Sequence, residues 1–247
     1  MTATLLLTRP EQAAQDFAQL VMAAGWRWPV VIAPLMQISH CAPDMDALAG
    51  AGTLVFTSRH GVAAWRAAGG GCELPVWCVG PRTAQAARQA GFAQVHQAPG
   101  GDAVSLRAAL LAARPVPPVL HLRGDHTAMV LAAELVKAGI PARDAVLYRQ
   151  HARALSDAAR TLLSHPVPVV VPLFSPRSAR LFAAELANLP VPHRAALHVI
   201  AISQACAGAL GATKCAGIHV AARPDADAMR DAVITLQAEL EEGDKPR

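Results

Sequence analysis

Arginine recurs at the points where predicted buried strands turn into helices. In an open parallel sheet such turns lie together at the carboxyl ends of the strands, where ligands bind. A guanidinium is always charged and matches a carboxylate in a two-pronged geometry, and helix amino termini offer free N–H groups to anions. This clustering favours a ligand with several separated negative groups over a purely solubilising role. The turn arginines are Arg9, Arg59, Arg82, Arg123, Arg177 and, in a looser turn, Arg223.

Small polar residues and glycines share these turns. As single residues, the hydroxyl side chains are better explained as helix caps, and turn geometry alone explains the glycines, although glycine also permits close approach of a ligand. The chain has no GxxxxGK[ST], no GxGxxG after a strand and no GxSxG, so nucleotide binding and nucleophilic catalysis have no positive support. The residues concerned are Thr57, Ser58, Gly80, Thr83, Gly124, Ser175 and Ser203.

Strands and helices alternate along the chain. Between residues 53 and 91, two apolar runs are each followed by a polar turn and a helical pattern. This alternation predicts an α/β fold with open parallel sheets. The turn at residues 56–59 is similar in sequence to the one at 173–176, and the turn at 79–84 is similar to the one at 202–207. The repetition predicts two similar modules.

The order of the repeats places the second module inside the first. We predict that residues 1–36 and 150–247 form the first module and that residues 40–145 form the second. A strand that begins at Val30 and continues past Pro34 to Ile38, and another that contains Tyr148, lie where the chain crosses between modules. We expect the segments 34–39 and 145–150 to pair as a two-stranded connector.

The composition narrows the class of ligand. The chain has 247 residues, of which 53% are hydrophobic and 4% aromatic, and a net charge of +4. Scarce aromatic residues and scattered basic residues argue against nucleic acid. Cysteines without a CxxC pair and singly spread histidines argue against a metal site and for reduced thiols. With no apolar stretch of about 18 residues and no signal segment, we expect a cytoplasmic protein without membrane contact.

In their order and spacing, the motifs resemble those of the uroporphyrinogen-III synthase family. The resemblance covers essentially the whole chain. It implies two flavodoxin-like α/β modules, the second inserted in the first, joined by a two-stranded β connector, with the active site in the cleft between the modules. The motifs are LTRP at residues 7–10, FTSRHGV at 56–62, VGPRTA at 79–84, LRG at 122–124, VLY at 146–148 and FSPRS at 174–178.

The resemblance also implies an activity. Family members cyclise the linear tetrapyrrole hydroxymethylbilane, a polyanion with acetate and propionate side chains, to uroporphyrinogen III. Loss of water leaves a cation, the last pyrrole ring attacks through its substituted carbon to give a spiro intermediate, and the ring closes inverted. No metal or organic cofactor is implied. The enzyme's main task is to hold one folded conformation of the substrate.

By position in the motifs, Tyr148 matches the family tyrosine proposed as the acid that helps the hydroxyl leave. In the last module the chain departs from the family pattern, because Ser203-Gln204-Ala205-Cys206 stands where a Gly and a Thr pair are usual, and Leu173-Phe174 where Phe-Thr is usual. The implied substrate-binding residues are Arg9, Thr57, Ser58, Arg59, Gly80, Arg82, Thr83, Arg123, Gly124, Ser175, Arg177, Ser203 and Gln204.

Two other functions stay open on the sequence alone. The chain could be a non-catalytic two-module protein that binds an anionic small molecule, or an inactive family member that serves as an interaction partner in the pathway. For the enzyme we expect a monomer that makes transient contact with the preceding or following tetrapyrrole enzyme.

Overall fold

The computed structural model describes residues 2–43, 48–126 and 129–243. Within these ranges the chain divides into two compact units. Unit 1 contains residues 1–37 and 151–247, and unit 2 contains residues 38–150. Each unit is built around a sheet of mainly parallel strands flanked by helices. The outermost pair at one edge of the unit 2 sheet is antiparallel, since Cys41 N donates to Leu147 O and Arg153 N donates to Leu35 O. The predicted α/β class with parallel sheets is confirmed.

The sheet of unit 1 has the strand order β11-β10-β9-β1-β2. Its strands are β1 (Thr4–Leu7), β2 (Val30–Ile32), β9 (Pro168–Leu173), β10 (Ala196–Ala201) and β11 (Gly217–Val220). Its helices are α1 (Glu11–Ala23), α6 (Asp157–Ser164), α7 (Pro176–Ala187), α8 (Gln204–Gly208) and α9 (Ala226–Glu242).

Both faces of this sheet are covered, which explains why its strands are continuously apolar. Successive side chains of a strand point to opposite faces. Leu6 therefore packs in the core that contains Phe182 of α7, whereas Leu5 packs in the core that contains Phe17 of α1 and Val233 of α9. The strands of this sheet therefore contribute alternate side chains to two separate cores.

The sheet of unit 2 has the order β3-β8-β7-β4-β5-β6. Its strands are β3 (Met36–His40), β4 (Thr53–Phe56), β5 (Val76–Cys78), β6 (Val95–Gln97), β7 (Val119–Gly124) and β8 (Ala142–Ala152). Its helices are α2 (Arg59–Ala67), α3 (Pro81–Gln89), α4 (Ala103–Ala113) and α5 (Leu131–Lys137).

Here too the two faces carry different helices. Leu54 and Phe56 pack in a core with Trp65 of α2 and Ala84 of α3, whereas Val55 packs with Leu106 of α4. Thr57, which follows Phe56, therefore lies on the side of the sheet that α4 and α5 cover. Ser58 lies on the side that α2 and α3 cover.

The predicted strand that continues from Val30 past Pro34 is wrong in its extent. The structure has two strands instead, β2 and β3, which are separated by residues 33–35. Pro34 has no N–H to donate, so the hydrogen bonds there come from the flanking residues, with Ala33 N donating to Leu7 O and Leu35 N to Thr8 O. The strand that contains Tyr148 is longer than predicted and pairs with β7 from Ala142 onward.

None of the helices in the described ranges combines the length and the apolar character needed to cross a membrane.

Candidate functional site

The carboxyl edge of the unit 2 sheet gathers most of the sequence-predicted residues of that unit. Strands β8, β7, β4 and β5 are neighbours. The register sets Phe56 opposite both Leu122 and Cys78, so β4 and β5 end at one level and β7 continues two residues further, to Gly124. The predicted residues at this level are Thr57 and Ser58 after β4, Gly80 after β5, Arg123 and Gly124 at the end of β7, and Tyr148 within β8 opposite Gly124.

Tyr148 and Gly124 are cross-strand partners at this edge. A Cβ atom placed on Gly124 would lie 2.6 Å from Cε2 and 2.7 Å from Cζ of Tyr148, so the phenol ring lies over the bare Cα. The register between β7 and β8 shifts between Arg123 and Gly124, which brings Tyr148 to this position. Only 4% of Tyr148 is exposed, and its ring centroid lies 5.9 Å from that of His60.

The hydroxyl of Tyr148 is kept protonated. Burial raises the pKa of Tyr148 above its usual value, and the charge of Asp125 adds to this, although hydrogen bonding to the side chains of Ser58 and Gln150 and to the Gly124 backbone acts in the opposite sense. A buried neutral phenol beside a serine can donate a proton or a hydrogen bond to a ligand oxygen.

Three of the predicted serines are helix caps in the structure. Ser58 Oγ accepts a hydrogen bond from His60 N at 3.2 Å, and Ser203 Oγ accepts one from Cys206 N at 3.3 Å. Ser175 forms a reciprocal capping box with Ser178. Each serine thereby satisfies a free N–H of a helix amino terminus.

A second polar network lies on the opposite face of the same edge, and the sequence did not reveal it. His121 is 1% exposed, and its Nδ1 lies 2.7 Å from Asp144 Oδ1. Its Nε2 lies 3.3 Å from Thr57 Oγ1. Burial raises the pKa of Asp144, but the hydrogen bond from His121 and the interaction with Arg123 outweigh burial, so the net shift of the pKa is downward.

Arg123 is anchored by the same network. Its Nε lies 3.6 Å from Asp144 Oδ1, and one terminal nitrogen donates to the carbonyl of Gly124 at 2.8 Å. With 19% of its side chain exposed, the guanidinium is held at the edge of the sheet. The other two predicted arginines of this unit lie at helix starts, Arg59 as the first residue of α2 and an exposed Arg82 as the second of α3.

The remaining predicted residues of unit 2 are less accessible. Thr83 is buried in the first turn of α3, with 6% of its surface exposed. Gly80 precedes that helix with an extended backbone, φ −169°, which any residue can adopt. A Cβ there would meet only ordinary contacts, the nearest being Gly101 Cα at 3.4 Å. Neither observation assigns these two residues a ligand contact.

In unit 1 the predicted residues follow three neighbouring strands, β10, β9 and β1. The guanidinium of Arg9 lies over the ring of Phe174, 3.8 Å from its centroid, and Phe174 in turn packs edge-on against Phe17. Ser175 and Arg177 open α7, and Ser203 and Gln204 open α8. The hydroxyl of Thr8, beside Arg9, is buried without a hydrogen-bond partner in the described structure.

The chemistry available at these edges is anion binding and proton donation. Arginines and the amino termini of helices attract carboxylates, and Tyr148 supplies a phenol. Within the described ranges, His, Cys, Asp and Glu side chains form no group of three or more that could hold a metal ion.

Comparison with known proteins gives a consistent result. A family profile described as "Uroporphyrinogen-III synthase HemD" matches residues 15–231. No curated protein matches the chain significantly. A search of solved structures finds uroporphyrinogen-III synthetase from Helicobacter pylori, with 15% identity and a TM-score of 0.64 over 96% of this chain and 100% of that one. A mutant uroporphyrinogen III synthase from Thermus thermophilus has 13% identity and a TM-score of 0.53 over 96% and 100% of the two chains. At these identities the structural likeness shows the fold.

Proposed function

The chain belongs to the uroporphyrinogen-III synthase family, and from that premise we propose how its own residues carry out the reaction. The match of the family profile over residues 15–231 is the observation that carries the assignment. The activity is that of a cyclising lyase, which converts hydroxymethylbilane to uroporphyrinogen III with loss of water and inversion of the last pyrrole ring. The substrate is a tetrapyrrole that bears several carboxylates.

We propose that Tyr148 is the acid of the first step. Its phenol proton passes to the hydroxyl group of the bilane, the C–O bond breaks, and water leaves. The cation that remains is stabilised by the adjacent pyrrole nitrogen. The position of the phenol at the strand-end turns supports this role, and its raised pKa keeps it protonated at neutral pH while making it a weaker acid.

The ring inversion then needs positioning more than further acid. The last pyrrole attacks the cation through its substituted carbon, the spiro intermediate reopens, and closure through the free carbon releases a proton that can return to the Tyr148 phenolate. Without an enzyme the bilane closes uninverted. Holding the chain of pyrroles in one conformation therefore decides the product.

In our proposal the residues of the strand-to-helix turns fix the conformation of the bound tetrapyrrole. Arg59, Arg82 and Arg123 on unit 2, and Arg9 and Arg177 on unit 1, bind substrate carboxylates. Backbone N–H groups of the turns assist them. The remaining contacts are proposed at Thr57, Ser58, Gly80, Thr83, Gly124, Ser175, Ser203 and Gln204.

We further propose that the units are two flavodoxin-like modules, with residues 40–145 inserted in a first module of residues 1–36 and 150–247. The connector strands are 34–39 and 145–150. The pairing of β3 beside β8, and the division of the chain after residues 37 and 150, support this arrangement. Limited proteolysis of the whole protein tests it, since cleavage near these boundaries should leave resistant fragments that stay associated.

We also propose that the protein is a cytoplasmic monomer that contacts the neighbouring enzymes of the pathway only transiently. Sedimentation at micromolar concentration should give the mass of one chain, and the mass of a dimer would overturn the proposal. The activity itself is tested by supplying freshly generated hydroxymethylbilane and separating the uroporphyrin isomers after oxidation.

A further inference from the structure

Thr57, His121 and Asp144 form a polar row across three neighbouring strands. Asp144 of β8 is the register partner of His121 in β7. Thr57 directly follows β4, on the same face as Val55, which is the partner of His121 in that strand. The His121 ring bridges the other two side chains, at 2.7 Å to Asp144 and 3.3 Å to Thr57. The reaction described above assigns no role to His121 or Asp144.

The carboxylate at one end of the row fixes the direction of its hydrogen bonds. The net pKa of Asp144 lies below its usual value, so the group is ionised at neutral pH and can only accept. Nδ1 of His121 must therefore carry a proton. In the neutral imidazole, Nε2 is then an acceptor, and the hydroxyl proton of Thr57 must point to it. The lone pairs of Thr57 Oγ1 are what remains for a ligand.

We propose that Asp144 and His121 are positioning residues that hold the hydroxyl of Thr57 as a hydrogen-bond acceptor for a pyrrole N–H of the tetrapyrrole substrate. The identity of the N–H donor rests on the proposed function. The orientation of the hydroxyl rests on the geometry of the row and on a neutral His121, because an imidazolium would donate from Nε2 to Thr57 Oγ1. A free threonine hydroxyl would rotate and could equally donate to a carboxylate.

The hydrogen-bond acceptor at Thr57 complements the hydrogen-bond donor at Arg123. Arg123, whose guanidinium lies 3.6 Å from the same Asp144 oxygen, is a permanent donor for carboxylates. An acceptor beside a cation fits a pyrrole, which carries an N–H on the ring and acidic side chains at its edge. Thr57 and Arg123 together would discriminate against a substrate turned so that a carboxylate faces Thr57. The hydroxyl oxygen of Thr57 and the carboxylate are both acceptors and repel each other.

The orientation can be measured without substrate. In the protein labelled with ¹⁵N-histidine, the signals of His121 are identified by their loss in His121→Leu. We expect Nδ1 protonated and Nε2 unprotonated at neutral pH, with the Nε2 signal shifting in Thr57→Val, which removes its hydrogen-bond donor. A proton on Nε2, or an Nε2 signal that does not respond to Thr57→Val, would overturn the proposed orientation. If His121→Leu does not fold, the comparison of wild type with Thr57→Val still decides the matter once His121 is assigned through bonds.

The consequence for catalysis is tested by a double-mutant cycle. Thr57→Val and His121→Leu should each raise KM roughly three- to tenfold, the range expected for one lost hydrogen bond, with a smaller effect on kcat. The double variant should be no worse than the worse single one, since His121 acts through Thr57. Thr57→Ser keeps the hydroxyl and should restore KM. His165→Leu, an exposed histidine of unit 1, is the matched control and should leave KM unchanged.

If the wild-type protein forms isomer III, two results would overturn the positioning role of His121 and Asp144. These are additive losses in the double variant and an unchanged KM in both single variants. Wild-type protein that yields only isomer I would instead overturn the proposed function. The histidine spectra would then decide by themselves whether the Thr57 hydroxyl is held as an acceptor.

Discussion

The ring of Tyr148 covers the Cα of Gly124, its partner across strands β7 and β8. Because the position has no side chain, the phenol can lie flat over the backbone at the carboxyl end of β7. The same contact brings the hydroxyl within hydrogen-bonding influence of Ser58 and of the Gly124 backbone. The place of the proposed acid is therefore set by a glycine on the neighbouring strand.

Gly124→Ala should displace the phenol. The new Cβ would lie 2.6 Å from Tyr148 Cε2, closer than van der Waals contact allows, and the 4%-exposed ring must move. We expect a loss of about 1–3 kcal/mol in the free energy of unfolding, measured by urea denaturation, together with reduced turnover. Gly208→Ala, with nothing within 4 Å of its Cβ, is the control and should not destabilise. Equal behaviour of the two variants would show that the ring is not held in place.

Tyr148→Phe should lower kcat by roughly 100-fold or more, the usual contribution of a general acid, while the melting temperature stays close to that of the wild type. Circular dichroism confirms that the variant is folded. Full turnover by the folded variant would remove Tyr148 from the reaction.

The pKa of Tyr148 also predicts a dependence of stability on alkaline pH. Since burial raises this pKa in the folded state, the neutral phenol contributes stability that is present below the unfolded value of about 10 and is lost as pH rises through the folded value. Denaturant titrations should therefore show a steeper alkaline loss of stability in the wild type than in Tyr148→Phe. Parallel curves for the two proteins would count against the burial of a titrating phenol.

The lowered pKa of Asp144 predicts that the protein loses stability as the pH falls into the acidic range. Its pKa is depressed in the folded state, so its contribution is present above the unfolded value of about 3.9 and is lost as pH falls through the folded value. Asp144→Asn should cost about 1–3 kcal/mol of unfolding free energy at pH 7, and this difference should shrink below pH ~4. The exposed Asp16→Asn serves as the control. A difference for Asp144→Asn that is the same at pH 3 and pH 7 would exclude an ionised Asp144 as the acceptor of the His121 hydrogen bond.

The turn arginines should govern affinity more than rate. Arg82→Gln removes an exposed guanidinium at the start of α3 and should raise KM for the bilane several-fold, with the larger effect at low salt because exposed charges are screened. Arg230→Gln is the matched control, since that arginine is paired with Asp227 and Asp231 on α9 and belongs to no strand-to-helix turn. If both variants had the same KM, the turn position would confer no special role.

The parallel α/β fold could be predicted because its signals are local. Apolar runs such as residues 169–171 are buried on both faces, and a capping serine, such as Ser58 or Ser175, marks the start of the helix that follows. The serines also show the limit of such signals. The pattern that marks a turn is the same whether its hydroxyl caps a helix or binds a ligand.

The polar row could not be predicted, because it depends on register. His121 and Asp144 are 23 residues apart and meet only because β7 and β8 pair in one particular alignment. No motif spacing encodes that alignment, and neither residue belongs to a motif of its own. The division of the strand around Pro34 was missed for a similar reason, since the apolar pattern continues while the backbone hydrogen bonding is interrupted.

The most direct test of the proposed function is the isomer composition of the product. Purified protein is supplied with freshly generated hydroxymethylbilane, in parallel with a reaction without protein and one with Tyr148→Phe, and the oxidised uroporphyrins are separated. We predict predominantly isomer III with the wild-type protein, isomer I without protein, and a strongly reduced yield of isomer III with the variant. Isomer I alone from the wild-type protein, formed at the spontaneous rate, would contradict the assignment.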